Sequence, residues 1–164
     1  MELDAMIRHF GEPVSMPGLV AYFAGIGVDL NDELVLPEGE FDAYVERPQE
    51  GYCAVFTDET MFLGLGNQSL GEGPLYLSGV FLYAGGKDGY DKYTGQLPFG
   101  MTFLRVRDEI LTTLGPPSWQ NQRDDGTVLA ERWDNKAEFR IHITYSRTTG
   151  MPSVISLSRP NTPL

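Results

Sequence analysis

The residue types that most often carry enzyme chemistry are few in this chain and lie far apart. The two histidines are His9, inside an expected helix, and His142, on the polar face of an expected strand. Neither lies beside the serine or cysteine of a nucleophile–base pair. Together with the single cysteine, Cys53, they show no spacing typical of a zinc site. We therefore interpret both histidines as surface residues and Cys53 as a buried, unreactive thiol.

Two stretches resemble ligand-binding motifs without completing them. Asp29 to Glu40 places acids or amides at positions 1, 3, 5 and 12 of a calcium loop, but Leu34 replaces the glycine of the sharp turn. Gly64 to Gly73 is rich in glycine and lacks the lysine of a phosphate-binding loop. We therefore predict no metal and no cofactor. With 23 acids in the chain, paired carboxylates acting on a cationic or sugar substrate stay open as an alternative function.

The negative charge is concentrated in the first third of the chain. Residues 1–59 hold 13 acids and two bases and so carry the whole net charge of −11, whereas residues 60–164 hold ten acids and ten bases. Such a field repels nucleic acid and anionic membranes and attracts a basic protein. A solvated acidic face that serves solubility is the alternative explanation.

Two short helices are expected to end in the same way. The stretch Leu97 to Pro117 contains an amphipathic helix with Leu104 on its apolar face, and Gly115 followed by two prolines ends it. Residues 4–13 align without gaps with residues 108–117, and both segments close on Gly-x-Pro. An internal duplication explains this match, and the chance recurrence of a common helix ending explains it equally well.

The remaining elements follow from apolar periodicity and turn residues. Helices are expected over residues 3–10 and 17–26, and strands over residues 41–47, 52–57, 61–65, 74–84, 118–122, 127–133, 138–146 and 153–158. This order predicts an α+β fold of two similar helix-plus-antiparallel-sheet modules packed together. Residues 1–88 would form an acidic module, and residues 89–164 a helix with a four-stranded antiparallel meander; one continuous domain is the alternative.

Aromatic residues recur beside acids and glycines, as is typical of surfaces that bind proteins. Tyr90 and Tyr93 lie in the polar, glycine-rich connector Gly85–Gly95, where we expect less burial than in a strand. Interface contact and core packing both stay open for this pair.

The second half of the chain also resembles a known class of proteins. The run Leu97 to Met101, a short helix, the ending Leu114 to Pro117, a tryptophan-bearing strand and an alternating final strand pair resemble small cytoplasmic immunity proteins. These are encoded beside bacterial toxins delivered by contact-dependent or type VI secretion, and they neutralise those toxins. The resemblance covers residues 89–158. Two copies of a helix-then-sheet unit are also similar to the architecture of the β-lactamase inhibitor protein. That protein's disulfides cannot form here, and we expect no signal peptide, which favours the immunity interpretation.

The charge and the resemblance lead to one expected function. Many toxins of this kind are nucleases with a basic cleft, and an acidic cytoplasmic protein can dock there and exclude nucleic acid. We expect no nucleic-acid or membrane partner, and the oligomeric state stays open. An adaptor or chaperone for a secreted effector is a further alternative. The predicted partner-binding residues are Asp29, Asp32, Glu33, Glu38, Glu40, Asp42, Glu46, Tyr90 and Tyr93.

Overall fold

A computed structural model describes residues 1–66 and 69–160. The helices are α1 (Leu3–Ile7), α2 (Pro17–Gly25), α3 (Leu30–Glu33), α4 (Glu59–Phe62) and α5 (Arg107–Leu114). The strands are β1 (Asp42–Arg47), β2 (Tyr52–Asp58), β3 (Leu75–Lys87), β4 (Tyr90–Lys92), β5 (Trp119–Gln122), β6 (Val128–Lys136), β7 (Phe139–Tyr145) and β8 (Pro152–Ser158). The α+β class is therefore confirmed, as are most of the expected elements. No helix of the described part is both long and apolar enough to cross a bilayer.

Within the described residues, all eight strands belong to one antiparallel sheet in the order β1-β2-β3-β8-β7-β6-β5, and β4 pairs with β3. Two meanders, β1 to β3 and β5 to β8, thus meet where β3 pairs with β8. The sheet runs without a break between the halves of the chain. The division into modules at residue 88 stays a prediction.

One face of the sheet is packed against helices. A row of apolar side chains crosses five neighbouring strands on this face, and each is at most 1% exposed. In register the row is Ala54, Val80, Leu157, Ile141 and Trp133. Leu3, Phe23, Leu30 and Ile110 from α1, α2, α3 and α5 join the same hydrophobic cluster. Burial of each large apolar side chain contributes about 2 kcal/mol, so this helix-covered face is the main source of stability.

The end of α5 is tied to the sheet by the turn that the sequence predicts. Gly115 has φ +74°, a backbone conformation that residues with a Cβ rarely adopt, so the helix stops there. Its carbonyl oxygen accepts a hydrogen bond of 3.0 Å from Nε1 of Trp133 in β6. The helix ending therefore also satisfies the polar atom of the largest buried side chain.

A buried ion pair attaches the start of α5 to the same face. Glu131 is fully buried, and its Oε1 lies 2.6 Å from Nη2 of Arg107 at the first position of α5. Tyr145 donates a hydrogen bond of 2.7 Å to Oε2 of Glu131. Burial, and then this bond to Glu131, raise the pKa of the Tyr145 hydroxyl, which therefore stays a donor. Both carboxylate oxygens thus have partners.

Two local expectations were wrong. The expected strand at residues 61–65 is replaced by α4, because the side chain of Asp58 accepts a hydrogen bond of 2.9 Å from the backbone N–H of Thr60 and caps a helix there. Leu104 does not lie on the apolar face of α5. It precedes the helix and is 69% exposed, because α5 begins only at Arg107, after an extended Val106.

Candidate protein-interaction face

The opposite side of the sheet, here called the second face, carries a continuous row of chemically diverse side chains. Strand register places one residue of each of seven strands in the row: Glu46, Cys53, Phe81, Ser156, His142, Arg132 and Trp119. None of these residues belongs to the hydrophobic cluster that contains the helices. The second face therefore begins at the edge strand β1 with an acid and ends at the edge strand β5 with a tryptophan.

The β1 end of the second face is built from an acid and stacked tyrosines. The rings of Tyr83 and Tyr90 are stacked with centroids 3.9 Å apart, and the Tyr90 hydroxyl donates a hydrogen bond of 2.7 Å to Oε1 of Glu46. Cys53 lies next to Glu46 in the row and is 4% exposed. Burial raises the pKa of the Cys53 thiol to about 12, so it is almost wholly protonated at neutral pH. The interpretation of Cys53 as a buried thiol is confirmed.

This environment predicts that Cys53 is chemically silent in the folded protein. We expect its reaction with an aromatic disulfide reagent at pH 8 to be at least 100-fold slower than in urea-unfolded protein, because both thiolate content and access are low. The time course of released chromophore measures this. A native rate within threefold of the unfolded rate would contradict the burial of Cys53.

The β5 end of the second face is aromatic and basic. Trp119 is 40% exposed, its ring meets that of His142 edge-on at 5.8 Å, and the Arg132 guanidinium lies 5.5 Å from its centroid. Arg132 and Arg140 both contact Oδ1 of Asp134, at 2.8 and 2.9 Å. Burial, and then the two arginines, lower the pKa of His142, which is therefore neutral at pH 7. His142 is half-buried, whereas we expected it at the surface.

Part of the predicted acidic set lies on β1 or is bonded to it. Glu33 forms an ion pair of 2.7 Å with Arg47 at the end of β1, and this bond holds the acidic loop to the strand. Asp42, on β1, accepts a hydrogen bond of 2.6 Å from Thr57, and burial raises its pKa. Asp29 caps α3 through the backbone N–H of Asn31 at 3.0 Å. The remaining loop acids are exposed; they are Asp32, Glu38 and Glu40.

Both connector tyrosines are buried, although we expected less burial in the connector than in a strand. Tyr90 is 6% exposed because it stacks on Tyr83, and Tyr93 is 5% exposed because it belongs to the core cluster. The backbone N–H of Tyr93 donates to the carbonyl of Tyr83 at 2.9 Å, which fixes the connector against β3. Tyr90 therefore contacts the predicted site residue Glu46, whereas Tyr93 lies in the hydrophobic core. A partner-binding role for either residue stays a prediction.

Of the seven residues in the row, only Glu46 was among the predicted partner-binding residues; Arg132 and Trp119, which form the basic and aromatic end, were not. The alternation of Arg140, His142 and Thr144 with apolar residues did indicate one polar strand face. It did not indicate which neighbouring strands extend that face, because strand order is set by pairing between distant segments.

Across the described ranges, no three histidine, cysteine, aspartate or glutamate side chains lie close enough to hold a metal ion. Comparison of the chain with models of protein families, with curated proteins and with solved structures gave no match. The candidate site is therefore defined by geometry alone: exposed aromatic residues lie on both edge strands, Tyr44 on β1 and Trp119 on β5, and an acidic loop lies beside β1.

Proposed function

We propose that this chain is an immunity protein that neutralises a basic, nuclease-type bacterial toxin in the cytoplasm by covering its active site or substrate groove. The observation that carries the proposal is the placement of the acidic loop: Glu33 and Arg47 hold it at the β1 edge of the second face, whose row residues lie outside the hydrophobic cluster of the helices. A basic protein that approaches the loop meets that face in the same encounter.

Attraction and affinity come from different parts of this surface. The exposed acids Asp32, Glu38 and Glu40 steer a positively charged partner during diffusion. Tyr44, 46% exposed on β1, and Trp119, 40% exposed on β5, supply the large side chains that bury apolar area at an interface. Their positions on opposite edge strands suit a contact that spans the sheet.

An enzyme that uses paired carboxylates needs two acids facing one hollow. A large groove of about 860 Å³ has no aspartate or glutamate in its lining. A smaller hollow of about 350 Å³ is lined by Glu2 and Asp4, and their pairing stays the alternative to a binding function.

We also propose that the two halves of the chain are related modules. In each half, helices precede an antiparallel meander, α1 to α3 before β1 to β3 and α5 before β5 to β8, and the final strands of the two meanders pair with each other. The matching Gly-x-Pro endings at residues 11–13 and 115–117 support this relationship. Both halves then contribute one edge strand to the proposed interface.

The test is co-purification with the product of the adjacent gene, followed by a nuclease assay on the free and bound toxin. We expect a stable complex in which nuclease activity is lost, because the covered groove cannot admit nucleic acid. The variant Y44A/W119A is expected to bind at least 100-fold more weakly, whereas F99A, which removes an aromatic side chain of similar exposure outside the second face, binds normally. A complex that retains full nuclease activity would instead identify an adaptor or chaperone.

A further inference from the structure

The same large groove carries a charge opposite to that of the chain as a whole. It lies where β3 ends, where β7 turns into β8, and beside the edge strand β5. Its lining includes Lys87, Lys92 and Arg147, which are three of the 12 lysines and arginines in the sequence, and no acid. In a protein of net charge −11, a groove whose charged lining residues are all cations has a local electrostatic field opposite to that of the whole molecule.

The groove is also amphipathic. Leu104, 69% exposed, and Trp119, 40% exposed, are large apolar side chains left in contact with water along its walls. Apolar area that remains exposed inside a concave site is available for burial by a ligand. A ligand that matches this groove therefore combines negative charge with apolar groups.

From this pairing of cations with exposed apolar side chains, we propose that the groove binds an acidic, amphipathic peptide segment of another protein in an extended conformation. The three cations belong to three separate segments: the end of β3, the end of β4 and the turn between β7 and β8. Charges distributed in this way suit carboxylates spaced along a peptide better than the single concentrated charge of a phosphate group.

The groove and the acidic loop serve different partners or different parts of one partner. The loop attracts positive charge beside β1, and the groove, which extends from the β3–β4 pair to the edge strand β5, attracts negative charge. A second copy of this chain is a poor occupant, because two molecules of charge −11 repel each other. Trp119 belongs to both surfaces, but the three cations of the groove lie outside the row on the second face, so the inference concerns a ligand of opposite charge and does not depend on the proposed toxin.

The test is a fluorescence titration with the end-blocked octapeptide (Glu-Leu)₄. Trp119 lines the groove and should report binding, whereas Trp133, the other tryptophan, is 1% exposed in the core and should not respond. We expect saturable binding with Kd on the order of 10–100 µM. The peptides (Gln-Leu)₄ and (Lys-Leu)₄ should bind at least tenfold more weakly.

A matched pair of variants separates the groove from the net charge. K92Q/R147Q removes two exposed cations of the groove, and R8Q/R123Q removes two exposed cations outside its lining. We expect the first variant to weaken (Glu-Leu)₄ binding at least tenfold and the second to change it less than twofold. Urea unfolding midpoints of both variants verify that each is folded.

Three results would overturn the proposal. One is the absence of any fluorescence response to (Glu-Leu)₄, and another is an equal loss of binding in the two variants. The third is displacement of the peptide by inorganic phosphate or ADP at equal concentration, which would make the groove a phosphate site. This assay uses neither the toxin nor its nuclease activity. A negative result therefore does not count against the proposed immunity function, and failure of the toxin-binding test does not count against the groove.

Discussion

Replacing Asp32, Glu38 and Glu40 by lysine is expected to slow association with the basic partner by about 100-fold at low ionic strength. These acids are exposed in the segment that precedes β1 and act on the approaching partner through the long-range field, which raises association rates from ~10⁵–10⁶ to as much as ~10⁸ M⁻¹s⁻¹ in complementary pairs. Glu33 is left intact, because its substitution would also break the bond to Arg47 that holds the loop. Dissociation should change much less, since none of the three side chains belongs to the row on the second face.

Stopped-flow association measured from 20 mM to 500 mM salt tests this expectation. The rate for the unmodified protein should fall steeply with salt, and the rate for the variant should be nearly flat, because screening removes an attraction that the variant lacks. The two curves should converge at high salt.

The matched control is D108K/D124K/E138K. It makes the same change in net charge at three exposed positions in the second half of the chain. Each set contains one acid from the first turn of a helix, Asp32 in α3 and Asp108 in α5, so the loss of favourable helix-terminal charge is similar. If the control slows association as much as the loop variant does, overall charge is responsible and the acidic loop is not the docking region.

Element types were largely predictable because local signals determine them. The alternation Phe139, Ile141, Ile143 identified β7, and the Gly115–Pro117 run identified the end of α5. The two wrong predictions about elements also have local causes. Asp58 acted as a helix cap that the pattern of residues 61–65 did not indicate, and Leu104 was assigned to a helix that begins three residues later.

The candidate site was less predictable because it depends on strand order. Glu46 and Trp119 lie 73 positions apart, and they share a row only because β3 pairs with β8. The acidic stretch was visible in the sequence, but its attachment through Arg47 was not. The burial of Tyr90 was also missed because it depends on strand pairing: its stacking partner, Tyr83, is on β3, against which the connector folds.

The ion pair between Arg107 and Glu131 predicts the largest effect on stability. Substitution of Arg107 by methionine leaves the fully buried carboxylate of Glu131 with one hydrogen-bond partner, Tyr145. Breaking a buried pair typically costs about 3–5 kcal/mol. Because the Arg107 side chain is 35% exposed and water can approach it, we expect a loss of about 3 kcal/mol in the free energy of unfolding.

A second substitution, Glu131→Gln, distinguishes the effect of an unpaired buried charge from the effect of losing the packing of the Arg107 side chain. In R107M/E131Q, glutamine removes the charge while its amide oxygen still accepts the bond from Tyr145, so we expect recovery of about 2 kcal/mol relative to R107M. Urea unfolding at pH 7 measures both values. R105M is the control, since Arg105 donates to the hydroxyl of Thr113, and we expect a change within about 0.5 kcal/mol. If R107M/E131Q were no more stable than R107M, the lost stability would come from the arginine's packing on the sheet. The start of α5 would then be held in place by apolar contacts and not by charge.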